Sequence, residues 1–326
     1  MATVPTTNIR MTDLNNVFGY GNSLSKYYRA QYSGGSIASS GSINYNLFSG
    51  KSSVVGLPGL CLWLDSTDSN TLFQNTAGTT PVTATGQSVA CWKDKSSNAV
   101  SYTSGAVPNQ SGMLQPPVYS NDGIYNIVSF NNFSGGSGTY NSATTQGLSA
   151  VGGFPLDSTG FITFVVAKAS GFFTVSYFNS YFTFTDNETQ FVDFDAAKGN
   201  SGMGFVNTNN QNVGVYPDTT TLTTTRQIQC LESTTTGGKF YINGSNLSNT
   251  SYAYTQKRPL PNGSTVWIGN QAPGQRSFSG FINELLIFNN TSVSTQQRQT
   301  VEGYLAWKWG LQASLPAGHP YLSAKP

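Results

Sequence analysis

Acid–base chemistry in this 326-residue chain has few groups to draw on: ten aspartates, four glutamates (Glu188, Glu232, Glu284 and Glu302) and a single histidine, His319. Hydrolysis of a glycosidic bond needs two carboxylates facing across a cleft, roughly 5 Å apart for retention and up to about 9 Å for inversion. Asp193 and Asp195 project from one face of an extended segment, as do Asp186 and Glu188. Solvent-facing acids beside a loop explain that pattern equally well. A Ser-His-Asp relay would have to use His319, so proton-shuttling machinery is nearly missing. Gly50-Lys51-Ser52 ends like a phosphate-binding loop, but Tyr45 stands where that loop needs glycine. Cys61, Cys91 and Cys230 are an odd number without metal-type spacing. They read as buried free thiols, a Cys61–Cys91 disulfide being the alternative. Chemistry on this chain points to binding or assembly before turnover.

Composition bounds the partners. Charged residues make up 9% of the chain, aromatic residues 13%, and the net charge is +2. That balance fits a strand-and-turn protein with a neutral polar surface and a large core, and it opposes disorder. Arg226, Lys257, Arg258 and Arg276 are scattered, whereas nucleic-acid binding needs a concentrated basic face. No apolar run reaches the roughly 18 residues of a membrane span. MATVPTTNIR carries no apolar signal-peptide core, so synthesis in a cytoplasm is expected.

The elements that would position these residues are short strands between turn clusters. Candidate strands are 60–64, 89–92, 124–130, 161–167, 172–184, 191–194, 227–231, 239–242, 266–268 and 281–288. The pairs Asn243-Gly244 and Asn262-Gly263 signal tight hairpins. Segments 161–167 and 282–288 are apolar on both faces, as inner strands of a two-sheet sandwich are. In 281–288 the exceptions are Asn283 and Glu284. Segments 132–150 and 199–224 read as long Gly/Asn/Thr-rich loops, where binding usually lives. One helical pattern stands out. Ser294 with Gln297 has capping-box spacing, Val301, Tyr304, Leu305, Trp307, Trp309 and Leu311 form an apolar arc, and Gly310 marks the stop. Such a helix should lie across a sheet.

Residues 1–56 differ in character. A short helix is expected over Met11–Phe18 with Leu14, Val17 and Phe18 on one face, then a turn carrying Tyr27 and Tyr28. Gly/Ser-rich loop follows at 34–42, and Phe48 belongs to a weak apolar cluster beyond it. So small a segment should dock on its own sandwich, a sister subunit or a neighbouring protein.

Four stretches carry a resemblance. Leu60-Cys61-Leu62-Trp63-Leu64-Asp65 through Asp68, Trp92-Lys93-Asp94-Lys95-Ser96, the hairpin Lys239–Gly244 with Val266–Gly269, and Glu302–Gly310 with His319-Pro320-Tyr321 occur in that order. Together they resemble concanavalin A-like (laminin G-like) jelly-roll domains found in structural proteins of large DNA viruses and phages. The segment "NIRMTDLNNVFG" resembles small modules at the ends of such proteins. The resemblance implies an all-β, two-sheet antiparallel jelly-roll sandwich over 57–326, with one C-terminal helix and a small N-terminal docking module over 1–56. It implies a non-enzymatic virion component that contacts other capsid or appendage proteins, forms a homo-oligomer and reaches host-surface glycans. No cofactor is required by it. The alternatives are a dedicated carbohydrate-binding adhesin and, remotely, a glycoside hydrolase, although none of the glutamates sits in the E-x-D-x-x-E strand of jelly-roll glucanases.

Relatives of this type often hold calcium in loops through Asp, Asn and backbone oxygens. That makes Asp65, Asp68 and Asp94 candidates, with a turn or capping role as the competing explanation. For glycans, Tyr177, Tyr181, Tyr216, Tyr252 and Tyr254 lie near loop-rich stretches and would form a stacking platform. Docking falls to Leu14, Val17, Phe18, Tyr27, Tyr28 and Phe48.

Overall fold

The structure, a computed structural model, describes residues 9, 14, 31–32, 35–36, 59–96, 98–106, 113–132, 145–151, 160–170, 180–186, 190–195, 202–206, 212–215, 224–234, 238–247, 265–270, 278–289 and 293–326. Two antiparallel sheets face each other as a jelly-roll sandwich. The first has eight strands, ordered β19 (Ser245–Asn246), β18 (Gly238–Ile242), β17 (Gln227–Thr234), β12 (Gly160–Ala169), β21 (Gly280–Phe288), β10 (Asn126–Phe130) and β9 (Val118–Asn121). β3 (Leu60–Asp65) pairs the far end of β21. The second has nine, ordered β16 (Asn212–Val215), β15 (Gly202–Val206), β14 (Gln190–Asp195), β13 (Ser180–Asp186), β20 (Thr265–Ile268), β11 (Leu148–Val151), β6 (Ser101–Thr103), β5 (Cys91–Lys93) and β4 (Leu72–Phe73). Two small hairpins stand apart, β1 (Gln31–Tyr32) with β2 (Gly35–Ser36), and β7 (Gly105–Ala106) with β8 (Met113–Leu114).

Alternation along β12 explains three layers. Phe161, Val165 and Ala167 join the core between the sheets, where Trp92, Phe182 and Val266 meet them from the other side. Ile162, Phe164 and Val166 turn the opposite way, onto the helix α1 (Thr295–Lys308), which offers Val301, Leu305 and Trp309. Burying one such aliphatic side chain contributes about 1.5–3 kcal/mol, so covering both faces of the eight-stranded sheet is favourable. The expected capping box is present: Gln297 N–H donates to Ser294 Oγ and Ser294 N–H to Gln297 Oε1. At the other end Gly310 adopts φ +68° and Leu311 N–H bonds Ala306 O at 2.7 Å, a Schellman closure. Asn243 and Gly244 both take positive φ and close the β18–β19 hairpin. Asn262-Gly263 lies outside the described residues.

Three expectations change. The stretch 199–224 contains the paired strands β15 and β16, and 132–150 contains the start of β11, so neither is wholly loop. Glycine-rich strands such as GMGFV lack the β-branched signal that flags strands in a sequence. Part of the expected loop at 34–42 is likewise extended, since Gly35 and Ser36 pair with Tyr32 and Gln31. Leu14 is helical and buried; Val17, Phe18, Tyr27, Tyr28 and Phe48 lie outside the described residues.

Two tests follow from this packing. Ser294→Ala removes one half of the capping box and should lower stability by about 1 kcal/mol in urea unfolding. Cys61, Cys91 and Cys230 are free and buried, and burial pushes all three thiols up. Thiol-specific reagents should therefore modify none in the native protein and all three after denaturation. One reactive thiol after denaturation would instead reveal a Cys61–Cys91 bridge.

Candidate functional site

Asp65 and Asp68 of the expected metal set meet Glu284 of β21 in one network of alternating charges, while the side chains of Asp186, Glu188, Asp193 and Asp195 lie outside the described residues. β21 carries a bulge at Asn283: Val166 of β12 pairs with Glu284, and its neighbour Ala167 with Ile282. The extra residue resets the alternation, so Ile282 and Leu285 both face the other sheet while Glu284 turns toward α1. Its carboxylate is fully buried and receives Trp63 Nε1–H at 2.7 Å, Tyr304 O–H at 2.9 Å and Trp309 Nε1–H at 2.8 Å. Lys308 Nζ lies 2.8 Å from Glu284 Oε2 and 2.8 Å from Asp65 Oδ2. Lys95 Nζ closes the chain of alternating charges, 2.9 Å from Asp65 and 3.0 Å from Asp68.

Electrostatics follows from that arrangement. Burial alone would raise the Asp65 carboxyl, but Lys308 and Lys95 outweigh it and hold Asp65 well below the usual carboxylate range. Burial likewise opposes the Lys308 ammonium, and Asp65 with Glu284 overcomes it and raises Lys308 above its ordinary value. Asp94 differs. Burial pushes its carboxyl up, against hydrogen bonds from the Ser96 hydroxyl and from the Ser96 and Trp63 amides.

Asp65, Asp68 and Asp94 thus have structural work. Asp65 Oδ1 accepts from Thr67 N–H and O–H, and Asp68 caps the 3-10 turn Ser69–Thr71 by accepting from Asn70 N–H. Among the described residues no group of three His, Cys, Asp or Glu side chains is arranged to hold a metal ion. His319 sits 3.2 Å from buried Glu302, itself paired with Arg298, and Tyr321 N–H donates to His319 Nδ1. The histidine pins the C-terminal tail to α1. Asp122 pairs with Arg226, and Tyr241 O–H donates to Glu232 at 3.3 Å.

Of the expected tyrosine platform the structure describes Tyr181 alone. Tyr181 is 1% exposed, because a bulge between Ser180 and Phe182 turns it inward. Its hydroxyl accepts from Gln229 Nε2 at 2.7 Å and its ring packs 4.9 Å from Phe278, so it offers no face to a ligand. Tyr177, Tyr216, Tyr252 and Tyr254 lie outside the described residues.

Register also sets a row of positions across the nine-stranded sheet, in which Trp267, Thr183 and Ser149 are buried. Register aligns Thr103, Ser149, Trp267, Thr183, Asp193, Gly204 and Gly214 on seven successive strands, β6 through β16. Val266 and Ile268 point into the core, so Trp267 points away from it, against Leu114. Period-2 alternation in Thr265-Val266-Trp267-Ile268 already separates Trp267 from its neighbours; its cross-strand partners Ser149 and Thr183, far away along the chain, are not legible from the sequence.

No protein-family model matches the chain, and no curated protein does. Among solved structures it is similar to domain 4 of AbnA, a GH43 extracellular arabinanase from Geobacillus stearothermophilus in complex with arabinotriose, at 13% identity and TM-score 0.43, covering 75% of this chain and 97% of that one. The botulinum neurotoxin serotype G binding domain is similar at 11% identity and TM-score 0.49, over 80% of this chain and 53% of that one. Trypanosoma rangeli sialidase is similar at 12% identity and TM-score 0.43, over 87% of this chain and 37% of that one.

Removing one partner of the buried network leaves an uncompensated charge. Lys308→Met should cost about 3–5 kcal/mol in urea unfolding at neutral pH. The depressed folded-state value of Asp65 gives stability that is present above the ordinary carboxylate range and lost as pH falls below it. Lys308→Met should therefore also flatten the decline of the urea midpoint between about pH 5 and pH 2; an unchanged acid limb would show that Lys308 does not hold Asp65 ionised.

Proposed function

We propose that this chain is a non-enzymatic recognition module that binds neutral glycans on a rigid jelly roll, working as a structural component of a virion surface or appendage. The observation that carries the binding half is an antiparallel two-sheet sandwich joined to a low-charge, aromatic-rich composition, 9% charged and 13% aromatic. Aromatic carbon with neighbouring neutral hydroxyls is the surface chemistry that suits a sugar. The non-enzymatic half is supported by the commitments of Asp65, Asp68, Asp94, Asp122, Glu232, Glu284 and Glu302, each tied to a lysine, arginine, tyrosine or backbone amide. Carboxylates so engaged are poor proton shuttles. The virion setting, homo-oligomerisation and contacts with capsid or appendage proteins rest on the sequence resemblance, with residues 1–56 as the docking module.

A glycan array probed with the full-length chain tests this, run with calcium and again with a chelator. Binding to a defined neutral glycan should appear and survive chelation, since Asp65 and Asp68 face Lys95. Prolonged incubation should leave the bound glycan uncut by mass spectrometry. A folded protein that binds nothing, or that cleaves its ligand, overturns the reading.

A further inference from the structure

Alternation along the eight-stranded sheet leaves one outward row open to solvent. Ala167 and Ala169 of β12 face the core, so Lys168 between them faces outward, and Ile282 does the same for Phe281 on β21. Val128 and Phe130 turn Ser129 outward on β10, and Tyr119 turns Val118 outward on β9. Register sets Lys168 beside Phe281, Phe281 beside Ser129, and Ser129 beside Val118 on these four adjacent strands. All four side chains are half-buried with the whole chain in place, so each keeps open surface. Val166 and Glu284, the next outward pair toward α1, are fully buried.

The helix stops short of this row. Its last residue, Trp309, meets Tyr125, the two rings edge to face at 5.1 Å. Arg226 stacks on the other aromatic surface of Tyr125 at 4.6 Å, paired with Asp122 and donating from Nε to Asn283 Oδ1 at 3.3 Å. Asn283 lies in the β21 bulge two residues from Phe281, so the Arg226–Tyr125 stack forms a wall at the helix end of the row. Lys168 Nζ rides 5.7 Å from the Phe281 ring centroid, near the outer limit of a cation–π contact. Asp122 answers the charge of Arg226, whereas among the described residues no carboxylate pairs with Lys168.

We propose that Lys168, Phe281 and Ser129 form a shallow subsite for a carboxylate-bearing sugar unit at the end of an otherwise neutral glycan. This rests on the glycan-binding reading above and goes beyond it by adding a charged unit to the ligand. Each element of the row has a part. The half-open Phe281 ring takes a C–H face of the sugar, the Ser129 hydroxyl bonds a sugar hydroxyl, and the Lys168 ammonium answers the carboxylate with a charge-assisted hydrogen bond. Charge selects the ligand, because Lys168 is the cation of the row still to be neutralised. Three strand spacings from Lys168 to Val118 give about 14 Å of floor, room for the acidic unit and one neighbour. Strands, not loops, carry all of these side chains, so the floor is rigid before the ligand arrives.

The test compares wild type with Lys168→Met, Phe281→Ala and Ser129→Ala, all full length, on an array that pairs each neutral glycan with its carboxylated form. Native folding is checked by urea midpoint. Wild type should bind the carboxylated form about tenfold more tightly than its neutral parent at low salt, and the gap should shrink several-fold at about 0.5 M salt. Lys168→Met should abolish the gap. Phe281→Ala should weaken binding of the carboxylated form about tenfold, and Ser129→Ala several-fold. Carboxylated forms that bind no more tightly than their parents, or a gap that survives Lys168→Met, would overturn this subsite while sparing the neutral-glycan reading. A wild-type blank on every glycan would overturn both.

Discussion

Glu284 is the group on which the architecture depends. A carboxylate buried in a strand between two apolar layers is untenable unless its charge is answered, and here it is answered from two elements. Trp63 comes from β3, while Tyr304, Lys308 and Trp309 come from α1. Lys308 then shares its charge with Asp65, and Asp65 shares Lys95 with Asp68. Because desolvation offsets most of the Coulomb energy of such a chain, its main contribution is not net stability. Its effect is geometric. Any other seating of the helix, or a slip of β3 against β21, would leave ions buried without partners. The bulge at Asn283 belongs to the same device, since without it Glu284 would point into the core between the sheets.

Consequences spread from that point. The helix seals the outer face of the eight-stranded sheet, and its end is fixed by Gly310, where a Cβ would strike the Tyr125 hydroxyl at 2.7 Å. The tail after the helix is tied back by Trp307 Nε1 to Tyr321 O and by His319 to Glu302. The part of that face under the helix is therefore given over to structure. Among the described residues no helix lies over the nine-stranded sheet, yet Trp267, Thr183 and Ser149 on its outward row are buried.

Legibility in the sequence divided along the same line. Local signals were sufficient for the helix, because capping box, apolar arc and terminal glycine all lie within Ser294–Gly310. The both-faces-apolar pattern of β12 and β21 was equally readable, and Asn283-Glu284 stood out as its one interruption. The meaning of that interruption was not readable, since the partners Trp63, Asp65 and Lys95 lie some two hundred residues earlier. Asp65, Asp68 and Asp94 looked like a ligand set because acids close in sequence resemble one. Their counter-charges come from the Lys95 loop and from α1. Tyr181 was misjudged for a subtler reason. Strand alternation puts it on the face opposite Phe182, and only the bulge beside it reverses that. The small strands β15 and β16 escaped because glycine carries no strand propensity.

The motif residues that carry the resemblance are also those that build the network. Trp63, Asp65, Asp94, Lys95, Tyr304, Lys308 and Trp309 each make a bond that fixes one element to another, and Glu302 anchors the tail. Motifs of that kind report how a sandwich is held shut and carry no information about its ligand. Recognition must then lie in residues outside every motif, placed by register alone. A scaffold held by buried ion pairs leaves exposed positions free to vary without loss of the fold, which suits a surface that must match a ligand and not catalyse a reaction.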